Sequence, residues 1–242
     1  MEAELSAPAD RALALLASRP LTAVVRRHEG TMNRQYLLDS LDGFKGLVFR
    51  LLPAEALEAV ACVPMTTDAP WTDAEKRVFE TAVGIPTTRT YWTPGGFPNV
   101  PKATDSDARA AWVRAVTAIN EPHLFLDPDT GFYDRHAGDS AKTVLVAELF
   151  AMLAPRRTLI VYRHQYWPKR QQNGASTPGQ PYVRHGLHML RNAGMSAFVY
   201  QSQSASVFFV ARRREHLKAF ETGLRNALAG VSADIINRRL VT

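Results

Sequence analysis

Apolar and polar positions along the chain change period several times, and each block predicts an element. Pro8–Leu16 reads as a short helix with its proline in the first turn. Tyr36–Leu51 predicts a second helix, broken near Gly43, and Leu57–Met65 (LEAVACVPM) predicts a strand. Thr72-Asp73-Ala74-Glu75 has the spacing of a capping box, so a helix should open there and run to about Val83. Gly84–Pro101, rich in Pro, Gly and Thr, reads as a loop with room for one strand. Asp107–Ile119 places Trp112, Val116 and Ile119 on one helical side. His123–Leu126 is a short strand, and Ala141–Leu153 is apolar at helical spacing up to Pro155.

Thr158–Tyr162 (TLIVY) is an unbroken β-rich run, as expected of a strand buried on both faces. A polar segment near 163–181 interrupts the pattern and reads as a mobile loop. Val183–Asn192 predicts a helix stopped by Gly194. Ser196–Gln201 and Ser206–Ala211 predict an antiparallel hairpin, Glu215–Leu228 a last helix, and the rest a basic tail. Strands that alternate with helices argue for one α/β domain over residues 1–242. Its sheet should be mainly parallel, with helices on both faces and a terminal antiparallel hairpin at or near an edge.

Composition adds bounds. With 46% hydrophobic and 21% charged residues, the chain can fill the core of such a domain. No apolar run approaches the ~18 residues of a membrane helix. The acidic start MEAELSAPAD has no apolar stretch of a signal peptide, so the expected location is cytoplasmic. The single cysteine, Cys62, excludes an internal disulfide and a multi-cysteine zinc site. The net charge of +6 is gathered in knots: Arg26-Arg27-His28, Arg156-Arg157, Lys169-Arg170, Arg212-Arg213-Arg214 and Arg238-Arg239. That balance suits a nucleic-acid partner, DNA above all, and equally describes a solvated basic surface.

The chemistry concentrates where the strand His123–Leu126 stops at Asp127-Pro128-Asp129-Thr130-Gly131. Ligands of open α/β sheets bind beyond the carboxyl ends of the strands. Pro128 stiffens the turn, and Gly131 permits a positive φ or close approach of a ligand. Two carboxylates held there, Asp127 and Asp129, suit acceptor recognition, Mg²⁺ binding or general-base work; an Asx turn that only starts the next segment is the plainer reading. His164 and Gln165 follow the TLIVY strand and would reach the same rim, the imidazole as a proton carrier and the amide as a reader of a base edge. The run Tyr166–Gln172, with Trp167, Lys169 and Arg170, mixes rings and cations in the manner of sites that hold unpaired bases. His185 and His188 are spaced for one helical face but lack a third metal ligand, and Glu148 reads as a solvated helix residue.

The stretch "LFLDPDTGF" resembles the Asp-Pro-Pro-Tyr motif at the fourth strand of amino-methyltransferases. More closely, it is similar to bacterial and phage proteins with a DPD[N/T]G turn, which also carry a block like "NRQYLLDSLDGFKG" (Asn33–Gly46) and a later Tyr-x-His-like strand end, here "VYRHQ". The resemblance implies a Rossmann-like, methyltransferase-like fold. It also implies a substrate-binding role for Asn33, Tyr36, Asp39, Asp42 and Lys45. Thr130 stands where the base-stacking aromatic would be, so Phe132 or Tyr133 is expected to stack instead.

One feature departs from S-adenosylmethionine enzymes: no GxGxxG turn is present, and "LDGFKG" (Leu41–Gly46) is a poor substitute. The expected activity is therefore transfer of a small group, such as an amino acid or amine, to an activated thymine-like base, as in phage DNA hypermodification, with the donor unassigned. S-adenosylmethionine-dependent methylation is the alternative. A nuclease holding Mg²⁺ on Asp127, Asp129 and Asp134, or a non-catalytic nucleic-acid binder, remains as a further class.

Overall fold

Successive side chains of each strand point to opposite faces, and in this chain both faces are apolar. The computed structural model describes residues 37, 40–67, 70–128, 130–134, 141–164, 180–202 and 205–242. The helix expected at Pro8–Leu16 lies outside them. Strands β1 (Val60–Pro64), β2 (His123–Asp127) and β5 (Thr158–His164) pair in parallel in that spatial order. β7 (Ala205–Ala211) runs antiparallel beside β5, β6 (Ser196–Gln201) antiparallel beside β7, and β8 (Leu240–Val241) antiparallel at the outer edge. Two reversals return β6 to the direction of β1, β2 and β5, so the sheet is mostly of one sense. A separate parallel pair joins β3 (Gly131–Tyr133) and β4 (Thr143–Leu145).

Helices cover both faces. One core gathers Leu124, Leu126, Leu159 and Val161 against α4 (Ser106–Thr117), α5 (Val146–Met152) and α6 (Gln180–Asn192), through Trp112, Leu149 and Leu187. The other gathers Cys62, Phe125, Ile160 and Tyr162 against α1 (Ser40–Arg50), α3 (Asp73–Val83) and α7 (Lys218–Ala227), through Phe49, Phe79 and Phe220. Dispersion and water release on both faces of one sheet hold this three-layer arrangement together.

Local chemistry explains several element boundaries. Thr72 Oγ1 accepts from Glu75 N at 3.3 Å while Glu75 Oε2 accepts from Thr72 N at 2.7 Å, so the capping box forms as its spacing predicts. Gly84, at φ 82°, closes the same helix in the left-handed conformation. Other boundaries move. The run from Leu57 is not all strand: α2 (Ala54–Glu58), built from good helix formers after Pro53, precedes β1. The segment expected to be one helix over Ala141–Leu153 opens with β4. There the β-branched pair Thr143-Val144 joins β3, and α5 starts only where Glu148 accepts from Leu145 N at 2.9 Å.

α1 runs through Gly43 without a break. Its second glycine, Gly46, has a packing reason: a Cβ there would lie 2.0 Å from Ala82 O, so absence of a side chain lets α1 cross α3. The polar segment near 163–181 is shorter than its composition suggests, since Arg163 and His164 complete β5 and α6 begins at Gln180. β7 lies inside the sheet, and the basic tail folds as α8 (Ala233–Arg239) and β8, which takes the edge. At the opposite edge, β1 meets a single parallel bridge from Cys62 to Thr90, with Tyr91 N donating to Cys62 O at 2.8 Å.

Candidate functional site

Alternation along β2 sends Asp127 to the same face as Phe125, toward α1. Its carboxylate is 1% exposed, so it is not the open rim group that its place before a Pro-Asp turn suggests. Lys45 Nζ donates to Asp127 Oδ2 at 2.8 Å and to Asp42 Oδ1 at 3.0 Å, and all three side chains are buried. The ammonium also lies 4.6 Å from the Tyr162 ring centroid and 5.8 Å from that of Phe79. Burial by itself would lower the Lys45 pKa. The charges of Asp127 and Asp42, Tyr162 and the Asp127 hydrogen bond outweigh it and hold the pKa above the usual lysine value. The result is a charged lysine between two acids at the carboxyl end of the central parallel strands. Cys62, on the same face, is buried, and burial followed by the Asp127 charge pushes its thiol well up, which makes it a poor nucleophile.

β5 continues the site. The pairing of Leu126 with Val161 sets Tyr162 level with Asp127, and His164 lies two residues further along the same face. His164 is partly exposed, and its backbone pairs with Ala205.

The other face of β5 carries Arg163, which is 4% exposed. Its guanidinium carbon lies 5.1 Å from the Phe132 ring and 5.3 Å from the Tyr133 ring. Gly131, at φ 90°, is required twice over: a Cβ there would sit 2.3 Å from Arg163 Cγ. Burial lowers the Arg163 pKa, and Tyr133 opposes that through its charge and a side-chain hydrogen bond. Thr130 bonds Lys142 O through both its N–H and its hydroxyl, at 3.2 and 3.1 Å.

Asp42, Lys45 and Asp127 thus meet, with His164 on their face. Thr130, Phe132 and Tyr133 gather instead with β3 on the side of Arg163. Phe132 is fully buried in the core and cannot stack a base, and Tyr133 is partly exposed. Asn33, Tyr36, Asp39, Asp129, Gln165, Trp167, Lys169 and Arg170 lie outside the described residues. Arg163 and Tyr162 also stand in "VYRHQ" and join these two groups; the signal for Arg163 in the sequence is a cation next to an apolar strand.

Glu148 is not a solvated helix residue. Its two carboxylate oxygens accept from Arg109 Nε and Nη2, each at 2.8 Å. The basic knots are also partly spent inside the protein. Arg157 is buried and donates to the carbonyls of Thr117, Met152 and Ile119. Arg212 donates to Leu153 O at 2.7 Å, and Arg214 pairs with Glu221.

Among the described residues, no three His, Cys, Asp or Glu side chains gather as a metal site. His188 Nε2 lies 2.9 Å from Asn192 Nδ2. Asp127 takes Lys45 as its counter-charge, which weighs against its use as a Mg²⁺ ligand. Among the described residues no helix is long and apolar enough to cross a membrane. The site belongs to an α/β protein with a mostly one-sense, six-stranded sheet. No family model, no curated protein and no solved structure matches the chain.

Proposed function

We propose that the chain is a group transferase acting on nucleic-acid bases, built on a Rossmann-like, methyltransferase-like framework. The observation that carries this reading is the position of Asp127: it ends the central parallel strand β2, is locked by Lys45, and precedes the sequence Pro-Asp-Thr-Gly. The reversed strand β7 between β5 and β6 supports the same framework, which combines a parallel sheet with a closing hairpin. In this reading Asp127 is a positioning residue. It holds α1 to the end of β2 through Lys45 and touches no substrate.

The donor is read as an amine or amino acid. β1 ends at Pro64 and is followed by Met65 and Thr66, with no glycine, and Thr66 is buried with its hydroxyl donating to Pro98 O at 3.1 Å. Among the described residues the outer edge of β1 carries no further strand, just an isolated bridge at Thr90. Both features disfavour the glycine turn that S-adenosylmethionine enzymes place there. The amine nitrogen would attack the methylene carbon of a pre-activated thymine-like base. The carbon–oxygen bond to the leaving pyrophosphate breaks as the carbon–nitrogen bond forms, and His164 takes the amine proton.

Mass spectrometry of nucleosides, from DNA bearing pyrophosphorylated hydroxymethyl pyrimidines incubated with the protein and an amino-acid pool, tests the reading. A new aminated nucleoside is the expected product; unchanged base composition rejects it. Calorimetry with S-adenosylmethionine decides the alternative, which the strand order favours: tight binding would make base methylation the leading activity.

A further inference from the structure

Arg163 is a buried cation whose surroundings differ from those of the other buried arginines. Arg109 has the Glu148 carboxylate, and Arg157 has three backbone carbonyls. Among the described residues Arg163 has no carboxylate partner. Its polar contacts among them include a long hydrogen bond from Nη1 to Tyr182 O, at 3.5 Å, and one to the Tyr133 side chain. Burying a charge without a counter-charge is strongly unfavourable, and ring faces offset only part of it.

The chain nevertheless makes room for this guanidinium from two directions. A Cβ at Gly131 would meet its stem at 2.3 Å, and one at Gly186, on α6, would meet Nη1 at 2.7 Å. Gly186 sits within a helix, where glycine is unfavourable, so its absent side chain has a use. Arg163 also stands one residue from the carboxyl end of β5, at the rim where ligands of such sheets bind. Its neighbours reach solvent: Tyr182 is 37% exposed and Tyr133 is partly exposed.

We propose that Arg163 is the anchor of an oxyanion-binding site at the carboxyl edge of β5, between the Gly131–Tyr133 strand and the first turns of α6. The planar guanidinium matches a carboxylate or a phosphate through paired N–H donors. Under the group-transfer reading, on which only the owner of the anion depends, that group is either the pyrophosphate on the activated base or the carboxylate of an amino-acid donor.

Calorimetric titration of the full chain with pyrophosphate and, separately, with glycine tests the site without any reaction. Saturable binding of one probe to the wild-type protein is expected. Arg163→Met should weaken it by at least ~10-fold, as loss of a charge-assisted hydrogen bond implies, and Arg163→Lys should keep part of it. Binding of pyrophosphate alone assigns a phosphate; binding of glycine alone assigns a carboxylate. If Arg163→Met does not fold, Arg163→Lys serves as the comparison, since it keeps charge but loses the fork. No binding of either probe to the wild-type protein overturns the proposal. So does equal affinity in wild type and variants, which would mark an adventitious ion only. A protein that binds the anion but modifies no base would refute the proposed activity and leave this site standing.

Discussion

Lys45 Nζ lies 2.8 Å from Asp127 Oδ2, a contact that joins α1 to the end of β2 across 82 positions of sequence. Both side chains are nearly inaccessible, so neither charge can turn to water if the other is lost. Asp42 completes the arrangement from one turn earlier on α1, 3.0 Å from the same nitrogen. Three buried charges are tolerated because each meets its opposite.

Breaking that pair should therefore unfold the protein more readily. Asp127→Asn keeps shape and part of the hydrogen bonding, and Lys45→Met leaves two acids facing each other. Each is expected to cost about 3–5 kcal/mol, read as a fall in the denaturant midpoint at unchanged slope. The double variant Lys45→Met/Asp127→Leu should lose less than the sum of the single losses. Additive losses would show that the two residues are not coupled. The linkage also has a sign. The folded pKa of Lys45 is raised, so its contribution is fully present below the ordinary lysine value near ~10.4 and declines as pH rises beyond it.

Gly46→Ala gives a second test, with an unusual direction. In most helices this change is favourable by about 1 kcal/mol. Here the new Cβ would meet the Ala82 carbonyl oxygen at 2.0 Å, and that oxygen belongs to the backbone of α3. A loss of about 1–3 kcal/mol is expected from overpacking. A rise in melting temperature would mean that α1 and α3 can separate without cost.

His123 sets a pH dependence on the acid side. Burial, with a smaller contribution from His216 and opposed by the Pro122 backbone, pulls its pKa down to about 4. The unfolded chain binds the proton near pH ~6.5, above the folded value. Stability is then complete above pH ~6.5 and is lost as pH falls toward 4. Thermal unfolding of wild type and His123→Leu across that window should show a steeper loss in wild type. Parallel curves would remove His123 from the account.

His164 carries the catalytic part of the proposal. As a partly exposed residue at the end of β5 it can be changed with little effect on folding. His164→Ala should reduce base modification by ~10²-fold or more, the usual scale of general acid–base help, while melting temperature stays within a degree or two of wild type, as expected of a site away from the core. Unchanged turnover would exclude it as the proton acceptor.

Nucleic-acid binding, if it runs through phosphates, must weaken with salt. Filter binding of a short duplex between low and moderate salt should give a linear fall of log affinity against log salt concentration. A flat dependence would exclude the basic surface as the docking face.

Much of this architecture is legible in the residues taken a few at a time. Thr72 and Glu75 announce a helix start because a capping box closes within one turn. Thr158–Tyr162 announces a buried strand because β-branched and aromatic side chains suit a sheet covered on both faces. What these signals cannot convey is which polar group will lose its water. Asp127 was expected at an open rim and Glu148 on a solvated face, yet one binds Lys45 and the other Arg109, residues brought to them by helices from elsewhere in the chain. Only the packed layers decide this, because the free energy of a charge depends on whether a distant segment supplies its counter-charge as it is buried. Spacing along the chain holds no record of that encounter.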